Sequence, residues 1–467
     1  MKNNKIQLTS KEISLKANAD NWRPIAIIGV MFFVFGFVTW INSMLIPYFK
    51  FACELTNFEA YLVTFAFYIS YLLVSVPAAA LLKKVGFKKG IATGFYVMAT
   101  GAFTFIPAAQ TRTYGIFLTG LFLIGIGLAI LQAAANPYVT ILGKKQSAAR
   151  RISIMGICNK CAGILAPLVL GAAILRPGDH ELFDRITQMT GILKQEQLDL
   201  IIQRVIPPYI CMGVVLILLG IFIRYSSLPE LSGFADQPEE PAQNQAVTTA
   251  GRSILQYPHL ILGAVAIFFH VGAQVVAIDT IIGYARSTGM SLMEAKVFPS
   301  YTLFATICGY LAGIALIPKI ITQLNMLRLC TLLGLVLSFL VLLLDKEILL
   351  LGHRTNISVW MLVGMGLANS MIWAGIWPLA LDRLGDQLKL GASVLIMALS
   401  GNAIVPVFYG LLADHLGLRY AYLVLIPCYL YLVYYAYKGY RINRWSLRPV
   451  AGHHQNEKDA SNSKSIL

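Results

Sequence analysis

Twelve long apolar runs dominate the chain, and short polar segments separate each run from the next. A helix needs about 20 apolar residues to cross a bilayer core roughly 30 Å thick. The pattern therefore predicts an all-α membrane protein with twelve transmembrane helices. The predicted spans are residues 25–48, 58–82, 90–109, 114–140, 152–175, 205–226, 255–284, 298–318, 326–344, 357–381, 391–413 and 418–437.

Composition agrees with this interpretation. Hydrophobic residues make up 57% of the 467 residues and charged residues only 13%, whereas a soluble domain carries about 25% charged residues.

The seven cysteines are scattered. Cys158 and Cys161 have the spacing of a redox or zinc pair, but Lys160 lies between them in a predicted span and no second pair is nearby. We therefore expect ordinary helix residues and no metal site.

The net charge of +15 comes from basic clusters between the apolar runs, and not from a basic face interleaved with aromatic residues. This distribution argues against nucleic-acid binding. When alternate loops are assigned to the inside, about two thirds of the 37 Lys and Arg residues lie there. The positive-inside rule then places both termini in the cytoplasm. Residues 1–23 are polar and the first run is too long for a signal peptide, so we expect a multi-pass protein of the plasma membrane, a bacterial inner membrane.

The polar segments divide the chain into two halves. We predict a cytoplasmic N-terminal tail (1–24), a six-helix half (25–227), a cytoplasmic linker rich in Pro, Gln, Glu and Ala (228–253), a second six-helix half (254–438) and a C-terminal tail (439–467). In the loop at 177–204, apolar residues recur at helical spacing from Leu193 onwards. This spacing predicts an external amphipathic helix.

The two halves share a duplicated pattern. Gly125, Gly127 and Ala129 in the fourth span recur as Gly364, Gly366 and Ala368 in the tenth, and Pro167 and Gly171 in the fifth recur as Pro406 and Gly410 in the eleventh. Every pair is separated by the same 239 residues. Two six-helix repeats related along the membrane normal are typical of transporters whose substrate site lies between the halves.

Several stretches resemble the fucose/glucose/galactose permeases, which are the fucose–proton symporter family of the major facilitator superfamily. The resemblance covers nearly the whole chain. It rests on Phe35-Gly-Phe-Val-Thr-Trp-Ile-Asn-Ser-Met-Leu-Ile-Pro-Tyr-Phe49, Gln132-Ala-Ala-Ala-Asn-Pro-Tyr-Val-Thr-Ile-Leu-Gly143, Lys84-Val-Gly-Phe-Lys-Lys-Gly90, Gly272-Ala-Gln274 and the stretch from Pro406 to Asp414.

The resemblance implies a cavity lined by the first, fourth, seventh and tenth helices, with the fifth contributing. Some candidate substrate-binding residues are implied by the resemblance and others are selected for their amide or aromatic side chains. Together they are Asn42, Gln132, Asn136, Asn159, Gln274, Trp373 and Asn402. Amides match the paired donors and acceptors of a sugar, although a mid-membrane Asn can instead bond a neighbouring helix. Trp40, Trp373 and Trp377 offer flat apolar faces, with packing or interfacial roles as the alternative.

The chain departs from the family at its charged positions. Proton-coupled members carry one acid on the first helix and another on the fourth, where this chain has Ser43 and Gln132. Lys160 lies instead within the fifth span and Asp279 within the seventh, and intramembrane charges are usually functional. Three interpretations stay open: Lys160 as a fixed charge in a uniporter, Lys160 as a proton-coupling group with Asp279 as its counter-charge, or a structural ion pair between the halves.

The sequence therefore predicts a secondary active or facilitative transporter of a monosaccharide, of the glucose, galactose or fucose type, working by alternating access. An efflux transporter of another small solute is the alternative within the fold. A membrane-embedded enzyme is disfavoured because no span has a recognisable catalytic arrangement, and neither tail is long enough for a sensor's signalling domain. We expect no cofactor, with a proton or sodium as open candidates for a coupling ion, and a monomer whose partners are the sugar and the lipid bilayer.

Overall fold

The computed structural model describes residues 22–141, 148–226, 254–317, 319–384, 387–442 and 445. The predicted linker at 228–253 lies outside the described residues, as do most of both predicted tails. The described chain is almost entirely helical and contains twelve helical stretches long and apolar enough to cross a membrane. The predicted fold class is confirmed.

We number these stretches in chain order as spans 1 to 12. They are Ala26–Ala52, Asn57–Ser75, Phe87–Thr111, Tyr114–Ala135, Ile154–Ile174, Ile192–Tyr225, Pro258–Asp279, Leu292–Leu316, Gln323–Leu343, Ile357–Ala380, Leu390–Leu416 and Tyr420–Tyr437. The end predicted to be extracellular, which carries the loop at 53–56, is called the outer end below.

Several spans contain more than one helical element because their helices are interrupted. The α-helices are Trp22–Trp40, Asn42–Ala52, Asn57–Val85, Phe87–Phe103, Phe105–Thr111, Tyr114–Ile141, Ala148–Ile174, Asp179–Gln188, Ile192–Ile202, Ile206–Tyr225, Pro258–Asp279, Ile281–Ser287, Leu292–Ala295, Phe298–Leu316, Gln323–Leu343, Ile357–Asn369, Ile372–Ala380, Leu388–Met397, Gly401–Leu416 and Leu425–Tyr437. Short 3-10 turns occur at Gln203–Val205, Ile254–Gln256, Ala398–Ser400, Tyr420–Val424 and Gly439–Arg441, and two strands at Glu347–Leu350 and His353–Asn356.

Four of the interruptions share one local feature. At each of them a Ser or Thr hydroxyl bonds a carbonyl three or four residues earlier, a contact that bends helices. The bonds are Ser43 to Trp40 at 2.8 Å, Thr104 to Gly101 at 2.6 Å, Thr280 to Val276 at 2.7 Å and Ser370 to Leu367 at 2.7 Å. Broken helices at mid-membrane depth are a recurrent feature of transporter binding sites.

The same helix pairings occur in both halves. In the first half, spans 3 and 4, 2 and 4, 1 and 5, and 3 and 6 pack together. In the second half the corresponding pairs are 9 and 10, 8 and 10, 7 and 11, and 9 and 12. The duplicated sequence pattern therefore corresponds to duplicated packing.

The halves meet along spans 2 and 11 and along spans 5 and 8. Glycines of the repeat lie at both contacts. A Cβ on Gly410 would approach the Asn57 backbone oxygen at 3.0 Å, and a Cβ on Gly171 would approach Lys296 Cδ at 3.0 Å. Asn57 and Lys296 are separated by the same 239 residues as the two glycines, so the two contacts are equivalent by the internal repeat.

The outer loops carry secondary structure of their own. The helix predicted from Leu193 is present as Ile192–Ile202, at the outer start of the stretch counted as span 6, and Lys194 ties it to Glu54 at 2.5 Å. That hydrogen bond holds the pKa of Glu54 below its usual value. The contact is therefore complete at neutral pH and is lost as the pH falls through the lowered pKa.

A β-hairpin between spans 9 and 10 was not predicted. Its strands Glu347–Leu350 and His353–Asn356 pair antiparallel around Leu351 and Gly352. Both turn residues have positive φ, 51° and 82°, as a two-residue type I′ turn requires. The apolar run at 348–351 belongs to the turn and first strand, so it does not extend span 9.

Gly36 permits the closest approach between spans 1 and 5, because a Cβ there would lie 1.9 Å from the Asn159 carbonyl oxygen. We expect Gly36→Ala to force the two spans apart and to reduce stability by at least the ~1–3 kcal/mol typical of overpacking. Gly115→Ala is the matched control, since no atom lies within 4 Å of a Cβ at that position. Thermal unfolding in detergent measures both variants, and an unchanged midpoint for Gly36→Ala would contradict the packing.

Candidate functional site

The candidate residues of span 1 follow the helix break directly. Asn42 is fully buried, and neither its amide nitrogen nor its amide oxygen has a hydrogen-bond partner. An unpartnered buried polar group costs about 1–3 kcal/mol. Ser43 is fully buried too, but its hydroxyl is already used in the bond to Trp40. Asn42 therefore has free capacity for a polar ligand and Ser43 contributes to the break.

The Trp40 indole connects span 1 with the candidate residues of span 5. Its Nε1 donates to Asn159 Oδ1 at 3.4 Å, and Asn159 Nδ2 donates to the Phe32 carbonyl at 3.4 Å. Both bonds are longer than the usual 2.7–3.2 Å or so, so a ligand hydroxyl can replace either at little cost. Lys160 Nζ lies 4.3 Å from the centroid of the same ring, within the range of a cation–π contact.

Span 4 contributes Gln132, which is half-buried and donates to the Tyr71 hydroxyl at 3.0 Å. This bond uses one of two amide hydrogens, so the amide oxygen and the second hydrogen remain for other partners. The side chain of Asn136 lies outside the described residues.

Two of the three candidates in the second half lie just after helix interruptions. Asn402 follows the 3-10 turn Ala398–Ser400, and its Oδ1 is buried without a partner. Trp373 follows the break in span 10 and stacks on Trp377 with the ring centroids 5.1 Å apart. Gln274 is half-buried on span 7. The stacking supports a packing role for the tryptophan pair, while Asn402 has the free acceptor that a ligand would use.

Four further polar side chains were not among the predicted site residues. The Tyr68 hydroxyl and His270 Nδ1 are buried without partners, Tyr71 holds Gln132, and Asn369 accepts from Tyr429 at 3.0 Å. A tyrosine counts as apolar in a hydropathy pattern, which hid Tyr68 and Tyr71. His270 and Asn369 are isolated polar residues in apolar runs. This isolation was the sequence feature that could have marked them as candidate site residues.

Lys160 and Asp279 do not form an ion pair in this conformation. Asp279 is 1% exposed, and neither of its carboxylate oxygens has a partner. The Lys160 ammonium lies against Trp40 instead. The interpretation of these two residues as a structural ion pair joining the halves therefore gains no support from this state.

Asp279 instead borders a cavity of about 220 Å³ at the outer end. The polar residues lining the cavity are Lys50, Asn57, Tyr61, Asp279 and Arg286. Burial lowers the pKa of Arg286 and the charge of Asp184 opposes that shift. The cavity therefore combines two basic side chains with one carboxyl group that bonds to neither.

The outer end of the molecule is closed by contacts between the halves. The Asp414 carboxylate of span 11 accepts from the Asn57 backbone N–H at 2.9 Å, from Asn57 Nδ2 at 2.7 Å and from the Phe58 N–H at 2.8 Å. Tyr61 and Tyr409 pack edge to face, 5.3 Å apart. At the second contact between the halves, Ser300 of span 8 donates to the Ile164 carbonyl of span 5 at 2.7 Å. The candidate site is therefore shut off from the outer side.

Comparisons with known proteins agree on one family. The family description Major Facilitator Superfamily matches residues 28–400. The glucose/galactose transporter of Brucella abortus biovar 1 (strain 9-941) is 33% identical over 413 residues, covering 88% of this chain and 92% of the relative. The L-fucose-proton symporter of Escherichia coli (strain K12) is 28% identical over 420 residues, covering 90% and 93%.

Solved structures give the same result. The chain matches the crystal structure of the major facilitator transporter FucP in its outward conformation with a TM-score of 0.64 and 26% identity, over 89% of this chain and 98% of that one. A bacterial homologue of the human lysosomal transporter Spinster, inward-facing and occupied, matches with a TM-score of 0.65 over 91% and 98%. At 14% identity that second match shows the fold alone.

We expect Asp414→Ala to open the outer end, because it removes three hydrogen bonds to a charged acceptor, each worth about 1.5–3 kcal/mol. The reporter is a cysteine at Ala60, a residue that is fully buried and lines the outer cavity, in a background without the seven native cysteines. Its labelling by a membrane-impermeant maleimide should accelerate at least about fivefold in Asp414→Ala.

Glu347→Ala is the control for this experiment, since Glu347 is an exposed outer acid that bonds only within the hairpin, to Arg354. Equal labelling rates in the parent, the control and Asp414→Ala would show that Asp414 does not hold the halves together.

Proposed function

The chain belongs to the Major Facilitator Superfamily, and within it to the fucose, glucose and galactose permeases, and on that premise we propose that it transports a monosaccharide across the bilayer by alternating access. In this mechanism the two halves rock around a central site, which opens to one side at a time. The contacts between Asp414 and Asn57 close the outer end, so in this mechanism the described state is one that exchanges substrate with the inner side.

One observation carries the proposal: both halves present buried amides without partners. Asn42 in span 1 lacks partners at both amide atoms, and Asn402 in span 11 lacks one at Oδ1. Sugar hydroxyls both donate and accept, so they can satisfy such groups from both halves at once. The names of the relatives, glucose/galactose transporter and L-fucose-proton symporter, support a hexose or a close derivative.

The orientation and assembly follow from the same reasoning. Basic residues concentrate on the side of the termini, which supports cytoplasmic termini, and the bacterial relatives support the inner membrane. One chain supplies both halves of the proposed site, so a monomer is sufficient for transport.

Coupling requires a group other than the acids of proton-coupled relatives, because Ser43 and Gln132 occupy those positions. We assign the coupling proton to Asp279. An ionised carboxylate without a partner is very costly when buried, so the proton stays on Asp279 while the outer end is closed. When spans 2 and 11 separate, water reaches the outer cavity and the carboxyl group can release the proton.

The sugar site gives the first prediction of the proposed function. Asn159→Ala and Gln132→Ala should each weaken binding of the transported sugar at least tenfold, because each leaves sugar hydroxyls unpaired at about 1–3 kcal/mol. Calorimetry on the purified variants with glucose, galactose and fucose measures this. Asn325→Ala is the control, since Asn325 accepts from Arg328 near the inner end of span 9. Unchanged affinity in both cavity variants would place the site elsewhere.

The coupling assignment gives a second prediction. In proteoliposomes with an acidic exterior, Asp279→Asn should still exchange sugar but should lose accumulation against a gradient, because an amide cannot carry the proton. Other groups facing Asp279 can respond to pH or to its charge, namely Lys50, Tyr61, Tyr68, Arg286 and Asp414. The pH profile is therefore compared between the parent and Asp279→Asn.

Asp199→Asn is the control for coupling, because Asp199 is an outer acid paired with Arg112 outside the cavity. Accumulation driven by the pH gradient in Asp279→Asn would contradict the assignment. Accumulation by the parent that follows a sodium gradient and ignores pH would contradict proton coupling itself.

A further inference from the structure

Lys160 is a buried basic side chain that no protein carboxylate balances. Lys160 is 7% exposed, and no described acid lies within salt-bridge distance of its ammonium group. The ammonium nitrogen lies instead over the face of the Trp40 ring, 4.3 Å from the ring centroid. A ring face attracts a cation but supplies no hydrogen-bond acceptor comparable to a carboxylate oxygen.

Three shielded cations in the described chain have carboxylate partners. Arg204 pairs with Asp179 at 2.6 Å, Arg419 pairs with Asp345 at 2.7 Å, and Lys194 pairs with Glu54 at 2.5 Å. All three lie at the outer end, where water is also close. Lys160 lies at mid-membrane depth, where an unpaired charge is most costly. Lys160 therefore differs from these three outer cations in having no carboxylate partner.

The second half brings a further polar side chain into the same region. His270 of span 7 is 2% exposed, hydrogen-bonds Asn369, leaves its Nδ1 without a partner and lies within electrostatic range of Lys160. It supplies no negative charge that could pair with the ammonium group. A neutral hexose would leave the ammonium unpaired, whereas a bound carboxylate would neutralise it through charge-assisted hydrogen bonds.

We propose that the preferred substrate is a hexuronate, a monosaccharide ring bearing a carboxylate, whose charged group binds Lys160 while its hydroxyls bind the cavity amides. The inference rests on the proposed function, since it specifies the substrate class of the same site. Lys160 then acts as a substrate-binding residue. The alternative role of Lys160, as the coupling group itself, is an outcome of the test.

Binding of galacturonate and galactose to the purified parent, Lys160→Met, Lys160→Arg and Lys346→Met tests the proposal. The two sugars differ only in the carboxylate at one carbon, so their affinity ratio isolates the charge. The parent should bind galacturonate at least tenfold more tightly than galactose. Lys160→Met should lose at least tenfold in galacturonate affinity and keep its galactose affinity within about threefold. Lys160→Arg should retain a preference for galacturonate, and Lys346→Met, at an exposed outer position, should match the parent.

The contradicting outcomes are distinct from one another. A parent that binds galactose and not galacturonate overturns this inference and leaves monosaccharide transport standing. Binding of neither sugar, nor of glucose, glucuronate or fucose, by folded parent overturns the proposed function as well. A Lys160→Met variant that keeps the galacturonate preference and loses only the pH dependence of uptake assigns Lys160 to coupling and overturns its role in binding. Thermal unfolding of each variant confirms that a loss of binding is not a loss of fold.

Discussion

Within a bilayer core, a polar group that finds no partner in the protein has no water to bond instead, and this constraint shapes the whole structure. Most polar side chains in the described spans meet it locally: Ser43, Thr280 and Ser370 bond carbonyls of their own helices. The exceptions are therefore informative. Asn42, Asn402 and Asp279 remain buried without partners at one or more atoms, and these residues come from both halves of the molecule.

The same local bonds also place the site. Back-bonding at Ser43 and Ser370 accompanies the breaks in spans 1 and 10, which lie beside the candidate residues Asn42 and Trp373. At the outer end, Asp414 bonds the first residues of span 2 and thereby joins the halves. This contact is built from hydrogen bonds to an exposed carboxylate, together with glycine-permitted close packing at Gly410. Such a contact can be exchanged with water, as a gate requires.

Much of this architecture could be predicted from the sequence, because the length of an apolar run and the charge of the loops are set by the bilayer. The common offset of Gly171 and Gly410 predicted a repeat, and the structure places both glycines at equivalent contacts between the halves. The helix breaks and the hairpin at Leu351 and Gly352 were missed, since both are local features of backbone geometry that hydropathy does not register.

The site was predicted less completely than the fold. Asn42 and Asn159 were selected, but the sequence could not show that Asn42 lacks a partner while Asn159 bonds Trp40, because both depend on how neighbouring spans are rotated. For the same reason the sequence left open whether the Lys160 ammonium pairs with Asp279, and in the structure it lies on Trp40. The central claim is that the unpartnered amides of both halves bind a monosaccharide, which the protein then carries across the bilayer. A counterflow assay tests this claim most directly. Proteoliposomes loaded with an unlabelled hexose or hexuronate should transiently accumulate the same labelled sugar without any ion gradient, and absence of counterflow for every such sugar would contradict the account.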